Sequence, residues 1–134
     1  MSIDLSIVIL NYRQRGLVRQ CLRGILLAEL RCSYEVIVVD NHSGDGCLEM
    51  IAAQFPWVKT VASSLNRGFG AGNNLGIRQA RGDAILVLNP DIAVFRGQVE
   101  TLLEFLATHP QAGVIGPKLR YPDATTQDSC FRFP

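Results

Sequence analysis

Apolar residues gather in five short runs, Leu5 to Leu10, Tyr34 to Val39, Trp57 to Ala62, Ala84 to Leu88 and Gly113 to Ile115. The first, second and fourth are continuous rather than alternating, which predicts strands covered on both faces and therefore parallel. Between the runs the apolar spacing changes to that of a helix. Leu17, Val18, Cys21, Leu22, Ile25 and Leu26 share one helical face, and so do Val99, Leu102, Leu103 and Leu106. Ser43, Gly44 and Asp45 mark a turn into a helix over Leu48 to Phe55, closed by Pro56. A further helix is predicted from about Gly72 to Ala80. Strand starts recur every 23 to 29 residues, the length of a βαβ unit with a right-handed crossover. The expected fold is α/β: an open, mostly parallel sheet with helices on both faces. After Pro117 periodicity is lost, and residues 118–134 are expected to be irregular.

The polar residues add a second pattern. In an open α/β sheet, ligands bind beyond the carboxyl ends of the strands. Asn11 and Tyr12 follow the first run. Asp40, Asn41, His42 and Ser43 follow the second, Ser63, Ser64, Asn66 and Arg67 the third, and Asn89, Pro90 and Asp91 the fourth. Loops are polar in any case, and Ser43 and Asp45 suit helix capping. Asp40 and Asp91 are less easily dismissed, because each ends an apolar run, where a carboxylate needs a partner.

The segment Asn66 to Gly76 (NRGFGAGNNLG) carries glycines at 68, 70, 72 and 76. They allow close approach of backbone to a ligand, and a helix beginning near Gly72 would direct free N–H groups at an anion. A tight turn of small residues where helix meets sheet is the plainer explanation. Asn73 and Asn74 favour the ligand, being poor helix formers but good polar contacts. Gly70, Gly72 and Gly76, with Asp91 beyond them, also resemble a dinucleotide fingerprint. Against it, they follow the third strand rather than the first, and do not turn at once.

Composition narrows the classes. The chain has 134 residues, which suits a single α/β domain. Thirteen Lys and Arg against twelve Asp and Glu leave a net charge of +1, which argues against a nucleic-acid partner bound through a basic field. No apolar run reaches the roughly 18 residues of a membrane span. The four cysteines, Cys21, Cys32, Cys47 and Cys130, and the two histidines, His42 and His109, have no metal-ligand spacing. Without a secretion signal, the thiols suggest a reducing cytosol.

SIVILNYR (6–13), EVIVVDNHSGDG (35–46), NRGFGAGNNLGIRQARGDAILVLNPD (66–91) and GPKLRYPDATTQDS (116–129) together resemble the bacterial family 2 glycosyltransferases of GT-A fold, in particular their rhamnosyltransferase-like branch. The resemblance implies the donor-binding half of an inverting enzyme that passes a sugar, rhamnose by branch, from a dTDP-, UDP- or GDP-linked donor to a hydroxyl of a glycan or lipid-linked acceptor in cell-surface polysaccharide synthesis. It implies a nucleotide site of Asn11, Tyr12, Asp40, Asn41, Ser43, Asn66, Gly72, Asn73 and Asn89. Asp40 would accept from the base N3–H. Asp91 would bind Mg²⁺ or Mn²⁺, with Asn89 standing where the family's common motif has its first Asp. No residue matches the catalytic base, which is expected beyond Pro134, so this chain alone is expected to be inactive. Its expected location is the cytoplasm, with peripheral attachment of a longer protein at the inner membrane face. Open alternatives are a non-catalytic nucleotide-binding module and an NAD(P)-binding oxidoreductase fragment.

Overall fold

The computed structural model describes residues 2–128. These divide into two compact units, one up to Glu100 and one from Thr101 onward. The first unit carries β1 (Ile3–Asn11), α1 (Arg15–Ala28), β2 (Tyr34–Asp40), α2 (Cys47–Gln54), β3 (Lys59–Ala62), α3 (Gly68–Ile77) and β4 (Gly82–Val87). All three strand pairings are parallel, in the order β3-β2-β1-β4. The chain steps outward from β1 to β2 to β3, then returns past them to β4. Right-handed crossovers therefore put α1 and α2 on one face and α3 on the other. That reversal places a topological switch point between β1 and β4, where side chains beyond the strand ends find an open crevice.

The central strands are buried on both faces, as their unbroken apolar runs predict: Ile7, Val8, Ile9, Ile37, Val38 and Val39 are inaccessible to solvent. Strand β4 differs. Among the described residues it is an edge strand paired only to β1, and its burial alternates, with Ile85 and Val87 exposed. Helix α3 packs against β1 and β2. It can do so closely because Gly72 and Gly76 face the sheet. A Cβ on Gly76 would stand 2.5 Å from Val8 Cγ1, and one on Gly72 would stand 2.7 Å from Leu10 Cδ1.

At the amino end of the sheet, Ser6, Glu35, Arg81 and Gly82 lock the α3–β4 turn to the two central strands. Ser6 Oγ donates to Glu35 Oε1 (2.7 Å) and accepts from the Gly82 amide (2.8 Å). The Arg81 amide donates to Glu35 Oε1 (2.7 Å), and its guanidinium reaches Oε2 at 3.3 Å. Burial alone would raise the Glu35 carboxyl, but the bonds from Ser6 and Arg81 outweigh it and hold it below its ordinary value. The sign follows. A depressed folded pKa stabilises the protein above the unfolded value of about 4.3, and that stabilisation is lost as pH falls through the folded value. Glu35→Gln is expected to flatten the fall in urea midpoint below about pH 4.5; an equally steep fall in the variant would deny Glu35 this role.

In the second unit, α4 (Gln98–Thr108), which begins before the boundary, ends with its Thr108 Oγ1 and His109 Nδ1 at the Phe105 carbonyl, the His109 ring stacked on Phe105 at 3.9 Å. The strand expected at Gly113 to Ile115 does not form: the segment has no ladder partner among the described residues, and Val114 is 92% exposed. Three residues between Gly113 and Pro117 are too short a run to hold an edge unaided. From residue 118 to residue 128 the backbone is irregular except for an antiparallel bridge between Arg120 and Thr126. Residues 129–134 of the expected irregular tail, Ser129 and Cys130 among them, lie outside the described residues.

Candidate functional site

The carboxyl ends of the four strands meet around a cleft of ≈ 330 Å³. Leu10, Tyr12 and Gln14 border it from β1, Asn41 from β2, Asn66, Gly68 and Phe69 from the β3–α3 turn, and Asn89, Pro90 and Asp91 from β4. Among the described residues, Asp91 is the only ionisable acid or base on this lining besides the Tyr12 phenol. The cleft is thus a ring of amides, two aromatic rings and one carboxylate. The Arg13 guanidinium lies 5.3 Å from the centroid of the Tyr12 ring, within cation–π range. Arg13 itself takes a left-handed backbone (φ 55) while its amide donates to Ser43 Oγ at 3.1 Å.

The predicted site residues fall into two groups. Tyr12, Asn41, Asn66, Asn89 and Asp91 line the cleft. Asn11, Asp40, Ser43, Gly72 and Asn73 are buried and do not border it, though Asp40 keeps 9% of its surface exposed. Asn11, with no exposed surface, is the hub of this layer. Its Oδ1 accepts the Gln14 amide (3.0 Å), so its Nδ2 turns toward Asp40 Oδ1 (2.8 Å), Ser43 Oγ (3.0 Å) and Asp45 (3.3 Å). Asp40 Oδ2 accepts the Ser43 amide at 3.2 Å. Both carboxylate oxygens of Asp40 are therefore engaged, and each retains a second lone pair. Gly72 serves close packing against Leu10. Asn73 Nδ2 donates back to the Phe69 carbonyl (2.9 Å), tying down the first turn of α3.

Helix α3 begins one turn before the predicted Gly72. Asn66 Oδ1 accepts the Gly68 amide at 2.8 Å, and Asn41 bonds to the same turn. The first helical residue, Gly68, has φ 77, which glycine adopts without strain. Gln14 and Phe69 are cleft residues that sequence reasoning missed. Phe69, an aromatic ring among glycines and 62% exposed, carried the available signal.

Carboxylates are sparse here. Among the described residues no three His, Cys, Asp or Glu side chains cluster closely enough to hold a metal by themselves. A hard divalent ion that keeps several waters and shares a diphosphate needs only one or two protein carboxylates. Asp91, exposed on the lining beside the Asn89 amide, fits that donor set.

The sequence model of glycosyl transferase family 2 matches residues 6–130. The chain belongs to that family. It is 29% identical to the N-acetylglucosaminyl-diphospho-decaprenol L-rhamnosyltransferase of Mycobacterium tuberculosis, an alignment that takes in 100% of this chain and 47% of that protein. It is 32% identical to the undecaprenyl-phosphate 4-deoxy-4-formamido-L-arabinose transferase of Aeromonas hydrophila, over 95% of this chain and 39% of that one. Residues 1–349 of TarS from S. aureus, crystallised with UDP, match with a TM-score of 0.70 at 21% identity, over 81% of this chain and 33% of that one. The fold is the family's GT-A type. The chain spans about half the length, or less, of the curated relatives it matches. Within the family frame the glycines of α3 lose their resemblance to a dinucleotide fingerprint. They follow β3, and Gly72 and Gly76 are taken up by packing on the sheet.

Proposed function

We propose that this chain is the nucleotide-sugar-binding part of an inverting glycosyltransferase, which passes a sugar from a nucleotide diphosphate donor to an acceptor hydroxyl in glycan synthesis. The observation that carries the reading is the cleft at the β1–β4 switch point, walled by amides and aromatic rings with the Asp91 carboxylate on its rim. Asp40, held from behind by Asn11 and Ser43, would accept from the N3–H of uracil or thymine. Tyr12 would lie against the nucleoside, and Asn66 and Asn89 would bond its polar groups. Asp91, with the Asn89 amide, would hold Mg²⁺ or Mn²⁺, which when bound offsets charge on the departing diphosphate. The chain's own share of the chemistry is to bind and orient the donor; no described residue is assigned as the base that deprotonates the acceptor.

Rhamnose is the proposed sugar and a lipid-linked glycan the proposed acceptor, supported by the likeness to the mycobacterial rhamnosyltransferase. Free thiols at Cys21, Cys32 and Cys47 support a reducing, cytoplasmic location. A lipid-linked acceptor would bring the longer protein to the inner membrane face. No helix among the described residues is long and apolar enough to cross a membrane.

Calorimetric titration with UDP, dTDP and GDP, each with and without Mn²⁺, tests the reading. Binding of at least one nucleotide, strengthened by Mn²⁺, is expected; a folded sample that binds none of them sinks it. Asp91→Ala is expected to leave the unfolding midpoint in place and to reduce the Mn²⁺-dependent gain by roughly tenfold or more, the order of one lost charge-assisted contact. An undiminished gain would remove Asp91 from the metal site.

A further inference from the structure

Asn41 lines the cleft, yet it is only 2% exposed and its carboxamide is already occupied by the protein. Its Oδ1 accepts the Arg67 amide at 2.9 Å, while its Nδ2 donates to Asn66 Oδ1 at 2.9 Å and to the Gly68 carbonyl at 3.3 Å. The orientation of both amides follows from groups with fixed roles. A backbone N–H can only donate, so the atom facing Arg67 N is the oxygen of Asn41, and the atom facing Asn66 is its nitrogen. Asn66 must then present its own oxygen to Asn41. The Gly68 amide, 2.8 Å from the same Asn66 oxygen, demands that orientation independently. Two donors thus converge on Asn66 Oδ1. Asn66 Nδ2, on an exposed residue at the cleft wall, has no bond to the protein among the described residues.

We propose that Asn41 is a positioning residue: together with the Gly68 amide it locks the Asn66 carboxamide with its Nδ2 offered to the cleft, so that the amide at position 41 helps the site present a donor there and read an acceptor oxygen of the ligand. The proposal rests on the nucleotide-binding reading above, since it is the bound nucleotide whose carbonyl, hydroxyl or ring oxygen that donor would meet. Its physical content is separate. With Asn66 locked, no rotamer search accompanies binding, and the wrong end of the amide is not offered. An Asp at position 41 would keep the bond from Arg67 but set a second oxygen against Asn66 Oδ1. Relief requires Asn66 to turn over, which gives up the Gly68 bond and brings an acceptor to the cleft.

The decisive experiment is a double-mutant cycle, read by calorimetry with whichever of UDP, dTDP and GDP the unmodified chain binds most tightly. Asn41→Asp is expected to lower affinity about tenfold in the unmodified chain and to change it by less than about twofold in an Asn66→Ala background. Equal losses in both backgrounds would overturn the proposal, because a general loosening of the loop does not need Asn66. No loss in the unmodified chain would overturn it as well. A second measurement needs no nucleotide. Couplings across the hydrogen bonds from the Gly68 amide nitrogen to the Asn66 Cγ, and from the Arg67 nitrogen to the Asn41 Cγ, are expected by NMR in the unmodified chain. Asn41→Asp is expected to abolish the first and keep the second. Persistence of the Gly68–Asn66 coupling in that variant refutes the lock. A chain that shows these couplings and binds none of the three nucleotides overturns the transferase reading instead.

Discussion

Gly82→Ala is expected to destabilise the first unit by at least about 3 kcal/mol, in the upper range of single substitutions. A Cβ at this position would lie 2.4 Å from the Ser6 amide nitrogen, 2.6 Å from the Leu5 carbonyl carbon and 2.9 Å from Ser6 Oγ. Two of these atoms are backbone of β1, the central strand, which is paired on both sides and cannot retreat. A flexible side chain could move aside at small cost; a paired strand cannot. The same displacement would separate Ser6 from the Gly82 amide and leave Glu35 with fewer donors, so the loss of packing carries a polar penalty with it. Against a total stability of about 5–15 kcal/mol, this is a large share, and the thermal midpoint is expected to fall by roughly 10 °C or more. Gly24→Ala supplies the contrast: nothing lies within 4 Å of its Cβ position in the middle of α1. There the added methyl is expected to stabilise by about 0.5–1 kcal/mol. Similar midpoints for the two variants in thermal unfolding would refute the close-approach account of Gly82.

The second large effect is expected at Asn11. Asn11→Leu keeps the approximate volume and removes the one amide that bonds to Asp40, Ser43 and Asp45 together. Asp40 would remain buried with only the Ser43 amide as a named donor, and the Gln14 amide at the start of α1 would lose its acceptor. Leaving a buried charge short of a partner costs about 3 kcal/mol or more. The urea midpoint is expected to fall accordingly, and nucleotide affinity to fall with it, since Asp40 would no longer be held in place. A variant with an unchanged midpoint would show that water or rotation of Asp40 compensates, against the role assigned to Asn11.

Legibility in the sequence followed the reach of the interactions. The unbroken runs of β1 and β2 and the helical face of α1 were readable because burial on both faces, or along one stripe, writes itself into local spacing. The same logic misread β4. Its run is as apolar as that of a central strand, but its position at the edge is a property of the topology. The segment at Gly113 to Ile115 looked like a strand because three apolar residues look alike whether or not a neighbour exists. Convergence of polar residues at the strand ends was legible, because parallel strands with crossover helices deliver all their carboxyl ends to one side. What local pattern could not show is which polar residues face the cleft and which face one another. Asn11 Nδ2 meets its partners 29 to 34 residues away, and Asn41 meets its own 25 to 27 residues away. The start of α3 was hidden for the same reason: a glycine-rich stretch has little helical propensity, and the turn is closed by an amide from β2's end.

Asp40 and Asn41 are neighbours with opposite duties. One side chain turns to the layer of Asn11 and Ser43, the other to the turn of Asn66 and Gly68. That division is a matter of parity, since consecutive side chains at a strand end point to opposite sides. A single-residue insertion or deletion within β2 would exchange the two, sending the carboxylate to a turn that needs a donor and the amide to a layer that needs an acceptor. A two-residue change would preserve the assignment and alter only the reach. The site is therefore far less tolerant of odd length changes in β2 than of even ones, although the change itself would lie within the strand, before the first lining residue of that segment, Asn41.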